Sequence, residues 1–197
     1  MKTFITLGII AVVFGGFVCS TRNDLVSSDQ IVQQSLGDLD AAYQRRADLI
    51  PNLVKTVQAA GQFEKGTFVE IAEARAKAGQ IHVTADDLKD PAKLAAFESA
   101  QTALQSSLTK LLAVAESYPA LHATEAYRDL MTQLEGTENR IQTERHKVNE
   151  VIGLYNRDVL SFPGSLVASS YGYKPRLMFA AQAGADRAPV VDFGGGK

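Results

Sequence analysis

Three histidines, one cysteine and a set of carboxylates and serines are the side chains in this chain of 197 residues whose types could support chemistry. Metal centres inside helical bundles are built from Glu-x-x-His turns on facing helices, and no Glu-x-x-His occurs. His82, His122 and His146 fall in a connector, near a helix start and on a polar face, so they read as solvated side chains, and neither metal nor cofactor is expected. Ser107–Lys110 fits Ser-x-x-Lys, which can set a nucleophile beside a base on one helical turn. Neither Ser-Asp-Asn nor Lys-Thr-Gly accompanies it, and it reads as surface. Gly194–Lys197 has the glycines and lysine of a phosphate loop without the strand before and the helix after that such a loop needs. No catalytic group, cofactor site or small-molecule substrate is therefore expected, and the chain reads as no enzyme. A net charge of −2 with mixed signs excludes nucleic acid as the main partner.

The remaining polar clusters suit contacts better than reactions. Arg45, Arg46 and Asp48 lie just before Pro51, whose ring removes the hydrogen bond to the Ala47 carbonyl. One reading is a salt-bridged polar face; the sharper one is a patch that recognises a partner. Glu135, Glu138, Asn139, Arg140 and Glu144 read as a solvated or interhelical network. If Glu138 and Arg145 face the first helix, they can pair with Arg46 or Asp48 and fix the register of the bundle. An enzyme with an unrecognised polar site around Arg45–Pro51 and Leu134–Ile141 is the alternative from a different class.

The elements that must position these residues are helices. Phe4–Val18 is apolar throughout, a little short of the roughly 20 residues a spanning helix wants. It reads as an uncleaved anchor running into a soluble helix. A cleaved secretory signal is a second reading, and a lipoprotein signal with Cys19 acylated is a third. Phe17 and Val18 suit lipoprotein processing poorly, since that processing wants small residues before the cysteine. From Asp24 to Ala60, Ile31, Leu36, Leu39, Tyr43, Ile50, Leu53 and Val57 recur at helical spacing. Pro51 predicts a kink or break near Asp48–Asn52, and Gly61 is a second weak point. Phe63–Ala78 resumes the helix, with Phe68, Ile71 and Ala74 inward and Gly79 as its C-terminal stop.

Asp90–Pro91 is a helix start, with Asp90 as N-cap. The next run, Ala92–Ser117, has the coiled-coil-like seam Leu94, Phe97, Gln101, Leu104, Leu108, Leu111 and Ala115, with Gln101 its polar member. A last run covers Leu121–Ser161. Its seam is Tyr127, Leu130, Leu134, Thr137, Ile141, Val148, Ile152, Tyr155, Val159 and Phe162, with a gap at Glu144–Arg145. Short loops between long helices imply antiparallel neighbours. The expected fold is all-α: an elongated antiparallel bundle of three long helices, the first kinked or broken, behind an N-terminal membrane segment. The divisions are 1–21 for the anchor or signal, 22–162 for the bundle and 163–197 for a Pro/Gly-rich tail. Tyr171, Tyr173, Leu177, Met178 and Phe179 are expected to fold back on the bundle. Val190, Val191 and Phe193 either dock on it or serve a partner as a short linear element.

YQRRADLIPNLVKTV (Tyr43–Val57), FEKGT (Phe63–Thr67) and EARAKA (Glu73–Ala78) resemble the LemA family. LEGTENRI (Leu134–Ile141), Tyr155–Asn156, Phe162–Pro163 and the stretch Ala188–Phe193 resemble it in the same order. The resemblance implies a bacterial envelope protein with an N-terminal membrane segment and an antiparallel helical domain, and implies no catalytic residues. The leading functional expectation is a non-enzymatic, membrane-anchored scaffold or adaptor whose partners are the membrane and other envelope proteins. A periplasmic lipoprotein held through Cys19 is the runner-up.

Overall fold

A computed structural model of the chain describes residues 2–59 and 65–180. Gly61, Phe63 and everything from residue 181 on, including Val190, Val191 and Phe193, lie outside them. The elements in order are α1 (Lys2–Ala59), α2 (Lys65–Gln80), a 3-10 turn (Asp87–Lys89), α3 (Pro91–Ala115), α4 (Pro119–His122), α5 (Glu125–Leu160) and α6 (Gly164–Tyr171). No strand occurs among the described residues, so the all-α expectation holds.

α1 is one helix of 58 residues, a rod of about 87 Å. Its buried stripe is Leu25, Val32, Leu36, Leu39, Tyr43, Ile50, Leu53 and Val57. Ile31, expected on that stripe, is 49% exposed, and Val32 takes its place. That choice fits the geometry, since Val32 is seven residues, two turns, from both Leu25 and Leu39. Of the kink or break expected at Asp48–Asn52, the break does not occur: the helix runs through Pro51 to Ala59. The carbonyl that Pro51 leaves unbonded, Ala47 O, accepts a hydrogen bond from Arg75 Nε of α2 at 2.8 Å. An arginine from the neighbouring helix thus replaces the missing backbone donor, and the orphaned carbonyl no longer favours a break.

α1 and α5 form the main pair and run antiparallel. Ser28 donates to Asp158, Lys147 reaches Asp38, and Arg46 meets Glu138, so partner numbers fall along α5 as they rise along α1. α2 returns alongside α1, with Arg75 at Ala47 and His82 beside Asp40. α2 extends through Gly79 to Gln80 rather than stopping at the glycine. Asp90 caps α3 as expected, its Oδ1 accepting from Ala92 N at 2.9 Å with Pro91 in the first turn. α5 starts at a cap that its sequence pattern did not announce, Thr124, whose hydroxyl accepts from Tyr127 N.

Two apolar cores lie end to end along the rod. The proximal one, nearer the apolar N-terminal run of α1, includes Leu25, Val32, Leu39, Phe97, Val148, Ile152, Tyr155 and Phe179. The distal one includes Ile50, Leu53, Val57, Ile71, Leu104, Leu108, Leu111 and Tyr127. After α6, which ends at the left-handed Gly172 (φ 77°), residues 173–180 fold back along α5. Asn156 brackets Arg176 with two hydrogen bonds, Nδ2 to Arg176 O at 2.8 Å and Arg176 N to Oδ1 at 2.7 Å. Asn149 holds Phe179 the same way at 3.0 and 2.9 Å. Seven helical residues rise about 10 Å, as do three extended ones, so two asparagines two turns apart grip an extended strip at matching intervals. Phe179 is buried and Tyr173 packs on the core, whereas Tyr171, Leu177 and Met178 face outward.

Candidate functional site

Between the two cores lies a polar layer. Arg46 of α1 is only 2% exposed although it carries a guanidinium. It occupies a core position because it sits three residues after Tyr43 and four before Ile50, on the same stripe. Its Nη2 donates to Gln101 Oε1 at 2.6 Å, and its Nη1 to Gln105 Oε1 at 3.1 Å and Glu138 Oε2 at 3.0 Å. The guanidinium carbon lies 5.2 Å from the centre of the Tyr43 ring. Three helices meet at one cation, with Glu138 half-buried as the counter-charge. Burying a charge is tolerated only with such pairing and hydrogen bonding.

A second arginine closes the layer on the proximal side. Arg145 donates to the Ala180 carbonyl at 2.7 Å and to Glu98 Oε1 at 3.4 Å, and Glu98 also accepts from Ala180 N at 3.0 Å. Burial pushes the Tyr43 hydroxyl above its ordinary value of 10.0, against the opposing pull of Arg145 and Arg46. A groove of about 400 Å³ opens onto these groups, with Tyr43, Arg46, Glu98, Gln105, Glu138 and Arg145 on its walls. Two arginines face two glutamates there, and all four are engaged with each other, with α3 glutamines or with Ala180 of the tail strip. Ser106 on the rim donates its hydroxyl to the Thr102 carbonyl at 3.0 Å. The arrangement suits the alignment of helices.

The residues around Pro51 go three ways. Arg46 enters the layer. Asp48 is exposed, accepts from Gln44 at 2.9 Å and lies 3.9 Å from Arg75. Arg45 is exposed and lines, with Arg140, a shallow groove between α1 and α5. The suspected pairing across helices is realised for Arg46 and Glu138, while Arg145 turns to α3 and the tail strip. Cys19 is an exposed thiol on α1, one residue beyond the apolar run.

The remaining sequence candidates stay apart. Ser107 is buried rather than on the surface, its hydroxyl donating to Leu104 O at 2.8 Å, while Lys110 points away to Glu70 at 2.5 Å. His82 lies 3.0 Å from Asp40 Oδ1, and His122 bonds the Ala115 carbonyl and meets the Tyr127 ring edge-on. Among the described residues no three His, Cys, Asp or Glu side chains gather as metal ligands would.

Sequence reasoning missed a second buried arginine, Arg176 of the tail strip. It pairs with Asp29 of α1 and stacks over the Tyr155 ring at 4.3 Å. It lies outside any helical stripe, so no periodicity marks it. Arg75 was missed too; the proline four residues beyond Ala47 was the signal that some donor had to come.

The model of the LemA family matches residues 35–193, which takes in the polar layer, the distal core and the proximal core apart from Leu25 and Val32. The chain belongs to the LemA family. The quoted motifs fall inside this match, and Tyr43–Val57 carries Arg46 itself. Magnetosome proteins MamQ 1 and MamQ 2 of Paramagnetospirillum magneticum are each 25% identical to this LemA protein, over 86% of this chain and 68% of theirs. Magnetosome protein MamQ of Magnetospirillum gryphiswaldense is 24% identical over the same shares.

Proposed function

We propose that this LemA-family chain is a non-enzymatic, membrane-anchored helical scaffold or adaptor of the bacterial envelope. The observation that carries the reading is the continuity of α1. Its N-terminal end is long and apolar enough to cross a membrane, and Phe4, Leu7, Ile10, Val13 and Phe14 on it are open on all sides. The same helix then supplies the central stripe of both cores. Anchor and scaffold are one rod, so a partner held on the bundle stands at a fixed height above the bilayer. Arg46, Gln101 and Glu138 join three helices inside the bundle, which supports a structural role, as do relatives whose names state no reaction.

The test is alkaline carbonate extraction of bacterial membranes holding the full chain, paired with metabolic labelling by a fatty-acid analogue. The spanning reading expects retention in the membrane and no label, with Cys19→Ala behaving alike. Release into the supernatant would overturn it. Label that disappears in Cys19→Ala would instead establish the lipoprotein reading, which the exposure of Cys19 at the end of the apolar run favours. Cross-linking in the native membrane then identifies the envelope proteins that the bundle holds.

A further inference from the structure

Outside the apolar run of α1, the most exposed large hydrophobic side chains among the described residues come from one place. Phe162 is 80% exposed, Leu160 64% and Leu166 60%. They surround the corner where α5 ends and α6 begins, and Phe162 had been expected to complete the seam of α5. The corner is rigidly built. A Cβ on Gly164 would stand 2.1 Å from the Asp158 carbonyl oxygen, so only glycine lets the chain turn this tightly. Asp158 is fixed to α1 by Ser28 at 2.8 Å, and Val167 and Ala168 on the inner face of α6 are buried in the proximal core. The outward display of the three side chains is therefore a property of the fold.

The corner sits where α1 leaves the apolar run. Val18 packs on the same proximal core as Val167 and Ala168, and Arg22 lies over the Tyr171 ring at 5.1 Å. Phe4–Val18 rises only about 22 Å, against a hydrocarbon layer of about 30 Å. With Lys2 at one surface, the opposite surface falls roughly five residues further along α1, near Arg22 and Asn23. That is the level of Tyr171. An aromatic ring paired with an arginine at this height matches the side chains that favour the membrane–water interface.

We propose that the α5–α6 corner is a second lipid contact. Phe162, Leu166 and Leu160 dip into the interfacial layer of the bilayer that α1 crosses, and the base of the bundle rests on the membrane. This rests on the spanning reading of α1. The contact restrains tilting of the rod about its single crossing point.

The full chain in a Cys19→Ser background, carrying Phe162→Cys or Leu166→Cys with a small fluorophore, tests this in phosphatidylcholine–phosphatidylglycerol vesicles. Val69→Cys, an exposed apolar position on α2 of the distal half, serves as the reference. The expected result is loss of quenching by aqueous iodide and gain of quenching by shallow spin-labelled lipid at 162 and 166, with the reverse at 69. Labels at 162 and 166 as wet as the one at 69 overturn the inference while leaving the anchor intact. Labels dry but untouched by spin-labelled lipid also overturn it, because a protein surface then covers the corner. A chain that fails to float with the vesicles overturns the anchor reading and this one together.

Discussion

Arg46 reads from the sequence as part of a salt-bridged polar face or a partner patch, yet the fold buries it. The stripe read from the sequence passed from Tyr43 to Ile50 without it, whereas the polar seam position Gln101 that receives it was legible. The sequence also offered Glu138 as a partner for Arg46 or Asp48, on the condition that it face the first helix. Gln105, Glu98 and the tail carbonyl of Ala180 were not legible, since long side chains reach across helices without leaving a period behind. The same holds for Arg75 on the Ala47 carbonyl. If the Arg46–Glu138 pair sets the register of α1 against α5, the two residues must be energetically coupled. Arg46→Met, Glu138→Gln and the double variant, compared by chemical unfolding of the full chain in micelles, are expected to give a coupling of about 1–3 kcal/mol. Arg46→Ala alone is expected to lose roughly 3 kcal/mol, because it strands a half-buried carboxylate. Zero coupling within error would remove the register role.

Helices and their ends were unevenly readable. Asp90–Pro91 announced α3 because cap and proline act locally. Pro51 marked a kink or break, and the helix stays unbroken there because the donor that replaces its missing hydrogen bond comes from another helix, which no local rule contains. Phe162 misled because the seam spacing continues past Leu160, whereas the helix stops there. The connector before α3 owes its shape to Asp87. Its carboxylate accepts from Lys93 at 2.5 Å, from the Thr84 hydroxyl at 2.6 Å and from Thr84 N at 3.0 Å. The Lys93 contact chiefly, with Thr84 behind it, holds Asp87 down from 3.8 to about 2. A depressed carboxyl stabilises the fold above its unfolded value and stops doing so as pH falls through its folded one. The connector is therefore expected to stay intact at pH 4 and to loosen only between about 3.8 and 2. Carboxyl NMR should place Asp87 near 2, and in Asp87→Asn the Thr84 amide should lose its protection at neutral pH. A normal Asp87 titration would contradict the assignment.

The molecule as a whole is a rod with two apolar cores, a polar layer between them and an extended strip laid along α5. The all-α class, the antiparallel order and the family were readable because helical periodicity and ordered motifs survive in sequence. The division into two cores was not, since it depends on which polar residues from three helices meet at one height. The role of the tail strip was only partly readable: its apolar content said that it folds back, but Asn149 and Asn156 gave no hint of gripping it. What unites these parts is α1, which supplies the apolar N-terminal run, the stripe of both cores and the pairing partner of α5 without interruption. The native Cys19 offers a direct probe of that continuity. Spin labels on Cys19 and on Ala41→Cys, an exposed position further along α1, report the distance across the junction between membrane segment and bundle by pulsed electron resonance in lipid vesicles. An unbroken helix predicts a narrow distribution centred near 33 Å between the two backbones. A broad distribution, a markedly shorter distance, or a Cys19 that is already acylated and takes no label would contradict it.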